Sequence, residues 1–111
     1  MEFVRHTFEK KGWKVEDCQE DFCGYDLRAH RGSAELHLEV KATPDTSAGF
    51  ILTANELRCA ETDESFRLCL VRHALHRDRK MEVLTANQMK RAFALSPIAY
   101  IGRAKPSKTH Q

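Results

Sequence analysis

Three charged side chains near residue 40 have the types and spacing needed for metal-assisted hydrolysis. Asp26 and Glu39 are separated by twelve residues, and Lys41 follows Glu39 after one intervening residue. In an extended strand, residues two apart lie on one face, so Glu39 and Lys41 share a face. Two carboxylates placed together repel each other, whereas Mg²⁺ binds one or two carboxylates together with water and substrate phosphate. The pattern therefore predicts an oxygen-ligated metal site with an ammonium group beside it.

A hairpin of two strands would position these side chains. Residues 24–31 and 34–43 both alternate apolar and polar side chains with a period of two, which is typical of half-buried strands. A two-residue loop of Gly32 and Ser33, with glycine at the first central position of a type II′ turn, sets the register. The following residues then face each other: Leu27 with Leu38, Ala29 with Leu36 and Arg31 with Ala34 on the apolar face, and Asp26 with Glu39, Arg28 with His37 and His30 with Glu35 on the polar face.

An ordinary surface hairpin explains the same three residues. In that case Asp26 and Glu39 would each form a solvated ion pair with Lys41 on the outer face of the sheet, and such pairs contribute little to stability. The spacing alone favours neither interpretation.

The wider sequence resembles a known nuclease family. Asp26, a predicted turn and then Glu-x-Lys on the next strand resemble the PD-(D/E)XK nuclease superfamily. Gly-Tyr-Asp-Leu at 24–27, Leu-Glu-Val-Lys at 38–41 and Phe-Ile-Leu-Thr-Ala-Asn-Glu-Leu at 50–57 resemble one branch more closely. That branch is the domain of unknown function at the C-terminus of the plant protein NO VEIN, which also occurs in bacterial proteins linked to restriction systems and helicases. The resemblance runs over residues 2–83.

The resemblance implies a role for each matching position. Asp26 and Glu39 would be ligands of Mg²⁺, with Mn²⁺ as a substitute, and the backbone carbonyl of Val40 would add a third ligand. Lys41 would hold the attacking water or the charge that develops on the scissile phosphate.

The sequence departs from the superfamily pattern in two places. Tyr25 stands where the proline that names the superfamily is expected, although the closer branch also has Gly-Tyr-Asp. A further catalytic glutamate of the first helix would be Glu2, with Glu9 as the alternative on the charged face of that helix. A frayed N-terminus positions a ligand poorly, so either glutamate is as readily explained as a solvated helix residue.

A basic stretch over residues 72–80 is predicted to link two strands. Because arginine and lysine supply most of the affinity of proteins for nucleic acid backbones, its candidate DNA-binding residues are Arg72, Arg77, Arg79 and Lys80. A charged, solvated loop explains the same residues equally well.

His37 and Tyr25 are weaker candidates near the predicted site. His37 shares the face of Glu39 and could orient a water or a phosphate, or it could be a half-exposed partner of Arg28. Tyr25 could stack on a base or could simply pack at the start of a strand.

Length and composition fit one small domain. The chain has 111 residues, 31% of them charged, and a formal net charge of +2, which permits nucleic acid binding without requiring it. We predict a nuclease-like domain over 1–101 and a basic, disordered tail over 102–111. No apolar run approaches membrane-spanning length. The four cysteines lack zinc-site spacing, so we expect free thiols and a reducing, cytoplasmic location.

The predicted elements alternate between helices and strands. In chain order they are helix 2–11, strands 13–18, 24–31 and 34–43, a short strand 50–52, helix 53–61, strands 66–71 and 80–84, helix 85–95 and an edge strand 98–101. This order contains the α-β-β-β-α-β order of the restriction-endonuclease-like core. We therefore predict an α/β (α+β) fold in which helices flank a mixed sheet.

Two functions remain open at this point. The first is a divalent-metal-dependent endonuclease-like domain that hydrolyses DNA phosphodiester bonds, in a restriction or repair assembly with a helicase or restriction-system partner. Because one active site cuts one strand, that function also predicts a homodimer for double-strand cleavage. The alternative is a catalytically inactive module of the same fold that binds DNA or a partner protein. A small interaction domain with an acidic face would require the whole pattern to be coincidence.

Overall fold

A five-stranded mixed sheet flanked by three helices forms the described part of the protein. The computed structural model describes residues 1–18, 24–45, 49–96 and 104. The elements are helix α1 (Glu2–Glu9), strands β1 (Lys14–Asp17), β2 (Leu27–Arg31) and β3 (Ala34–Ala42), helix α2 (Ala54–Thr62), strands β4 (Phe66–Arg72) and β5 (Lys80–Leu84), and helix α3 (Ala86–Ala92). The predicted α/β class is confirmed.

The strands lie side by side in sequence order, β1-β2-β3-β4-β5. All neighbours are antiparallel except β3 and β4, which run parallel and are joined through α2. The hairpin register is as predicted, with Leu27 opposite Leu38. Gly32 has a φ of +60°, and Ser33 is not among the described residues with positive φ. A positive φ at the first central position alone is the mark of a type II′ turn, so the predicted turn is also confirmed.

The two faces of the sheet have different functions in the fold. One face, called the α1 face, packs Leu38 and its apolar neighbours against Val4 and Phe8 of α1. The other, called the α2 face, packs Phe66, Leu68 and Leu70 against α2 and α3. Because side chains alternate along β3, Leu38 on the α1 face places Glu39 and Lys41 on the α2 face.

Capping residues fix where the two later helices begin. The Thr53 hydroxyl accepts a hydrogen bond from the Glu56 backbone N–H, and the Glu56 carboxylate accepts one from the Thr53 N–H. Thr85 and Gln88 form the same reciprocal pair at α3. Each such cap satisfies two helix N–H groups that would otherwise lack partners. The predicted start of α2 is confirmed.

The predicted short strand at 50–52 is wrong. Residues 50–53 take no strand conformation. Phe50 and Leu52 pack against the core of the α2 face while Ile51 between them is 64% exposed. This burial of alternate residues imitates the period of a strand, but it is produced by a segment packed on the helices. The predicted edge strand 98–101 and the tail 102–111 lie outside the described residues, apart from Ala104.

Within the described ranges, the structure contains no helix whose length and apolar character would let it cross a bilayer.

Gly24, in the segment before β2, lies against Cys59 of α2. Its φ is +82°, and a Cβ at this position would lie 2.2 Å from the Cys59 Sγ. Gly32 also has a positive φ, +60°, but a Cβ there would meet nothing within 4 Å. A comparison of alanine substitutions at the two glycines therefore separates the cost of backbone strain from the cost of steric contact.

We expect Gly24→Ala to be more destabilising than Gly32→Ala. Both carry the left-handed backbone cost of about 1–2 kcal/mol, and Gly24→Ala adds an overpacking cost of about 1–3 kcal/mol. Urea unfolding measures both, and Cys59→Ala combined with Gly24→Ala should recover most of the difference. Equal losses for the two single variants would show that the close approach of Cys59 is not a constraint.

Candidate active site

The second half of β3 carries a buried carboxylate next to an ammonium group. The Glu39 side chain is 3% exposed and that of Lys41 is 19% exposed. The Lys41 Nζ lies 3.3 Å from Glu39 Oε2. Glu39 is paired with Leu68 of β4, so its carboxylate lies on the covered part of the sheet. A solvated surface pair, the simpler of the two interpretations, does not describe Glu39.

Glu56 is a member of this cluster that sequence reasoning missed. Its Oε1 accepts a hydrogen bond from the Lys41 Nζ at 3.0 Å and another from the Thr53 N–H at 2.9 Å. Its role in the helix cap could be predicted from the Thr-x-x-Glu pattern. Its position above Lys41 depends on how α2 crosses the sheet, and the spacing along the chain carries no signal for that.

Asp26 reaches the site from the bend that precedes β2. Its backbone N–H donates to the Leu38 carbonyl at 2.8 Å, and its Oδ2 accepts from the Val40 N–H at 2.8 Å. The expectation that Asp26 stands directly opposite Glu39 in the paired strands is corrected, because the register ends at Leu27 and Leu38. The Asp26 carboxylate instead accepts the Val40 N–H hydrogen bond that a backbone carbonyl would accept if β2 began earlier in the chain.

The Val40 carbonyl lies at the same edge. In an extended strand the N–H and C=O of one residue point to the same side, and the Val40 N–H points to Asp26. Because β2 begins only at Leu27, this carbonyl faces the gap beside the Asp26 carboxylate. The three oxygen donors that the resemblance implies, on Asp26, Glu39 and Val40, therefore lie near the start of β2.

The charges of the cluster act strongly on Glu39. Burial, together with repulsion from Asp26 and Glu56, raises the pKa of Glu39 to about 8, although Lys41 opposes the shift. Burial also acts to raise the pKa of Glu56, but hydrogen bonds from Thr53, Lys41 and Glu39 outweigh it and lower that pKa. Near neutral pH the cluster thus holds a proton on Glu39 and a negative charge on Glu56.

Lys41 stays charged in this environment. Burial lowers the pKa of its ammonium group, but the hydrogen bond to Glu56 and the charges of Glu39 and Glu56 outweigh burial, so the pKa is raised. The contacts with the carboxyl groups of Glu39 and Glu56 fix the position of this ammonium group.

The donor set fits Mg²⁺ only with help from water or substrate. Across the part of the chain that the structure describes, no three His, Cys, Asp or Glu side chains form a group that could hold a metal ion. Two carboxylates and a carbonyl are hard oxygen donors, and Mg²⁺ in proteins keeps several waters and binds substrate phosphates. A Mg²⁺ or Mn²⁺ ion held by these donors would therefore need solvent and phosphate to complete its coordination.

Glu2 lies apart from this cluster. Its side chain is 76% exposed and forms ion pairs with Arg5 and His6 on its own helix. Helix α1 packs on the α1 face, whereas the Glu39 carboxylate lies on the α2 face. The alternative, Glu9, is an exposed residue of α1. The structure thus does not bring the predicted first-helix glutamate to the other site residues.

His37 serves a structural contact rather than a free role at the site. Its Nδ1 lies 2.5 Å from Asp63 Oδ2, its Nε2 lies 2.6 Å from Glu35 Oε2, and its ring stacks on Tyr25 at a centroid distance of 4.2 Å. Burial lowers the pKa of His37, but the hydrogen bonds to Asp63 and Glu35 outweigh burial and raise it. Arg28 faces His37 in the register but pairs with Glu16.

The basic residues 72–80 lie at the same end of the sheet as Lys41. The Ala74 N–H donates to the carbonyl of Thr43 at 3.0 Å, two residues after Lys41. Arg72 forms an ion pair with Glu82, and the Arg79 guanidinium lies 4.7 Å from the centre of the Phe3 ring. Arg77 and Lys80 are exposed. Two of the four predicted contact residues are therefore also used in packing or pairing.

We expect Glu39→Gln to change how stability depends on pH. The folded pKa of about 8 exceeds the ordinary value of 4.5, so the native state holds its proton more tightly than the unfolded chain does. Wild-type stability should therefore fall as pH rises from 4.5 towards 8. At about 1.4 kcal/mol per unit of pKa, the loss amounts to several kcal/mol. Glu39→Gln should lack this loss.

The measurement is urea unfolding in EDTA across this pH range, with the exposed Glu9→Gln as the matched control. Glu9→Gln should follow the wild type at every pH. A Glu39→Gln curve that also follows the wild type would contradict the account of a carboxyl group forced to hold its proton.

Comparison with known proteins identifies a family for most of the chain. The family model described as Protein NO VEIN, C-terminal, matches residues 1–85. No curated protein and no solved structure matches the chain. The matched region contains Asp26, Glu39, Lys41 and Glu56, so it includes the whole cluster. The chain therefore belongs to the family defined by the C-terminal domain of the protein NO VEIN.

Proposed function

We propose that the protein is a divalent-metal-dependent endonuclease-like domain that hydrolyses phosphodiester bonds in DNA. The observation that carries this proposal is the buried Glu39 carboxyl group, held beside Asp26 and Lys41 near the start of β2. Burying a carboxylate near two others costs free energy, and no packing requirement of the sheet explains it. A site that must bind a cation explains both the burial and the like charges.

Each residue of the cluster has a chemical role in this proposal. Asp26, Glu39 and the Val40 carbonyl would hold Mg²⁺ or Mn²⁺. When bound, such an ion neutralises charge on the scissile phosphate and makes water a stronger nucleophile at neutral pH. The Lys41 ammonium group would contact a non-bridging phosphate oxygen as negative charge develops there. In the reaction a water oxygen bonds to phosphorus, one ester P–O bond breaks, and the leaving oxygen takes up a proton.

Glu56 would act as a positioning residue for Lys41. Its carboxylate, fixed by the helix cap, holds the Lys41 Nζ at 3.0 Å. Because Glu56 is anchored at both its backbone and its side chain, it limits the directions that Lys41 can take. This pairing supports a role for Lys41 at a fixed point of the site.

The architecture supports a place for the domain in the PD-(D/E)XK superfamily. The element order begins α-β-β-β-α-β, and the sheet has one parallel pair, β3 with β4, joined through α2. The Asp…Glu-x-Lys residues lie where β2 begins beside β3. The element order and the parallel strand pair therefore occur together with the site residues that the resemblance implies, which supports the assignment.

The alternative function is a binding module of the same fold without turnover. The position of Glu2, on a helix that packs on the opposite face of the sheet from Glu39, favours this alternative. Either function would suit a restriction or repair assembly with a helicase or restriction-system partner, and double-strand cleavage would require a homodimer. A reducing, cytoplasmic location completes the proposal, and the buried free thiol of Cys69 is compatible with it.

We expect Asp26→Asn to abolish binding of Mn²⁺ and Mg²⁺ because it removes one of two charged ligands. Isothermal titration calorimetry of the wild type, Asp26→Asn and the exposed control Glu64→Gln measures this directly. The wild type and Glu64→Gln should bind saturably with equal affinity. The same weak heats from all three proteins would mean that there is no two-carboxylate metal site.

We expect Lys41→Ala to retain metal binding but to lose about 100-fold or more of its cleavage rate, the usual effect of removing a group that stabilises transition-state charge. Conversion of supercoiled plasmid to nicked or linear DNA in Mn²⁺ measures cleavage, with the exposed Lys11→Ala as the control. Metal binding by a wild type that cuts no DNA would favour the binding module. Equal cleavage by Lys41→Ala would remove Lys41 from the mechanism.

A further inference from the structure

The loop between β4 and β5, residues 73–79, presents a leucine almost entirely to solvent. Leu75 is 88% exposed, more than any other large apolar side chain among the described residues. Burying an apolar side chain of this size is worth about 1.5–3 kcal/mol, and Leu75 forgoes that gain. A single exposed leucine is not unusual by itself, so its setting decides what it means.

The backbone of the loop holds Leu75 in this position. The Ala74 N–H donates to the Thr43 carbonyl at 3.0 Å, and the His76 N–H donates to the His73 carbonyl at 2.9 Å. His73 has a φ of +53°, and no other non-glycine residue among those described has a positive φ. A histidine in the left-handed region costs energy and persists only when its surroundings enforce it. These hydrogen bonds and the left-handed backbone of His73 define the conformation of the segment that exposes Leu75.

The charge around Leu75 is strongly positive. Residues 72–80 contain four basic residues and one acidic residue, a net charge of +3, and the pairing of Arg72 with Glu82 outside this stretch leaves +2; the whole chain also has a net charge of +2. The rest of the chain therefore sums to −1, from 2 minus 3. All of the net positive charge of the protein is accounted for by the nine residues that surround its most exposed leucine.

The loop is also attached to the strand that carries the candidate active site. The carbonyl that accepts the Ala74 hydrogen bond belongs to Thr43, which follows Lys41 by two residues. A polymer bound along the loop would therefore continue towards Lys41. Duplex DNA is a polyanion, and its stacked apolar bases can be reached from its grooves. It therefore matches a basic loop that exposes a leucine.

We propose that Leu75 is a wedge that enters the minor groove of duplex DNA and partly unstacks one base step, while Arg77 and Lys80 contact the flanking phosphates. The inference rests on the proposed function for its choice of DNA as the substrate. Apolar side chains on basic surfaces unstack base steps from the minor groove in this way and bend the duplex. Lys and Arg contacts to phosphate supply the salt-dependent part of the affinity, and the wedge supplies a part that salt leaves unchanged.

The test measures binding to a duplex of about 20 base pairs in EDTA, which excludes cleavage. The duplex carries 2-aminopurine at a central TA step, because pyrimidine–purine steps unstack most easily and 2-aminopurine fluoresces more strongly when it is unstacked. The variants are Leu75→Ala, Arg77→Gln and Ile51→Ala, the last as a matched control since Ile51 is exposed but lies outside the basic loop.

The wild type and Ile51→Ala should bind with a rise in fluorescence. Leu75→Ala should bind about tenfold more weakly, without the rise and with an unchanged dependence on salt. Arg77→Gln should keep the rise and should lower the slope of log K against log salt by about one. Wild-type binding without a rise in fluorescence, or an undiminished affinity of Leu75→Ala, would overturn the wedge. The second result would point to a protein partner for Leu75.

Failure of the wedge and failure of the proposed function are distinguishable. Binding in EDTA does not depend on the metal site, and the metal site is tested by Asp26→Asn without DNA. A normal fluorescence rise with no metal binding would leave the wedge in place and remove the nuclease. Saturable metal binding by a protein that shows no fluorescence rise would remove the wedge and leave the metal site in place.

Discussion

The burial of one carboxyl group among three acidic side chains is the constraint on which this structure depends. Glu39 is 2% exposed, and its pKa is raised to about 8 by burial and by the charges of Asp26 and Glu56. Two otherwise unrelated features serve this arrangement: β2 begins only at Leu27, so that the Asp26 carboxylate can accept from the Val40 N–H, and the cap of α2 places Glu56 beside Lys41. In a fold selected for stability alone, an apolar residue at position 39 would give an equal or higher free energy of unfolding.

The alternation of side chains along β3 separates its apolar residues from its charged residues. On the α1 face, β3 contributes Leu36, Leu38 and Val40 to an apolar core under α1. On the α2 face the same strand carries His37, Glu39 and Lys41, each held by a charged partner. The described residues contain no buried side-chain nitrogen or oxygen without a hydrogen-bond partner. The buried polar atoms of this face are therefore all hydrogen-bonded.

Local patterns predicted the parts of this fold that are set locally. The period of two in 24–43, together with Gly32, was sufficient for the register of β2 and β3, because a one-residue shift would expose every apolar side chain. The Thr-x-x-Glu pattern was sufficient for the start of α2. The segment 50–52 was misassigned because packing on helices can bury alternate residues as a strand does. Glu56 was missed because its contact with Lys41 arises from the crossing of α2 over the sheet, which no sequence period encodes.

A Mn²⁺-soaked crystal, measured for anomalous scattering at the manganese edge, would show whether Asp26 and Glu39 hold a metal ion. We expect one strong anomalous peak within about 2.0–2.3 Å of carboxylate oxygens of both residues, distances typical of hard divalent ions, with Lys41 beside it. A well-ordered crystal with no peak there, and with the Lys41 Nζ still between Glu39 and Glu56, would mean that these carboxyl groups hold no metal. The buried carboxyl group would then be a structural feature and the domain a binding module.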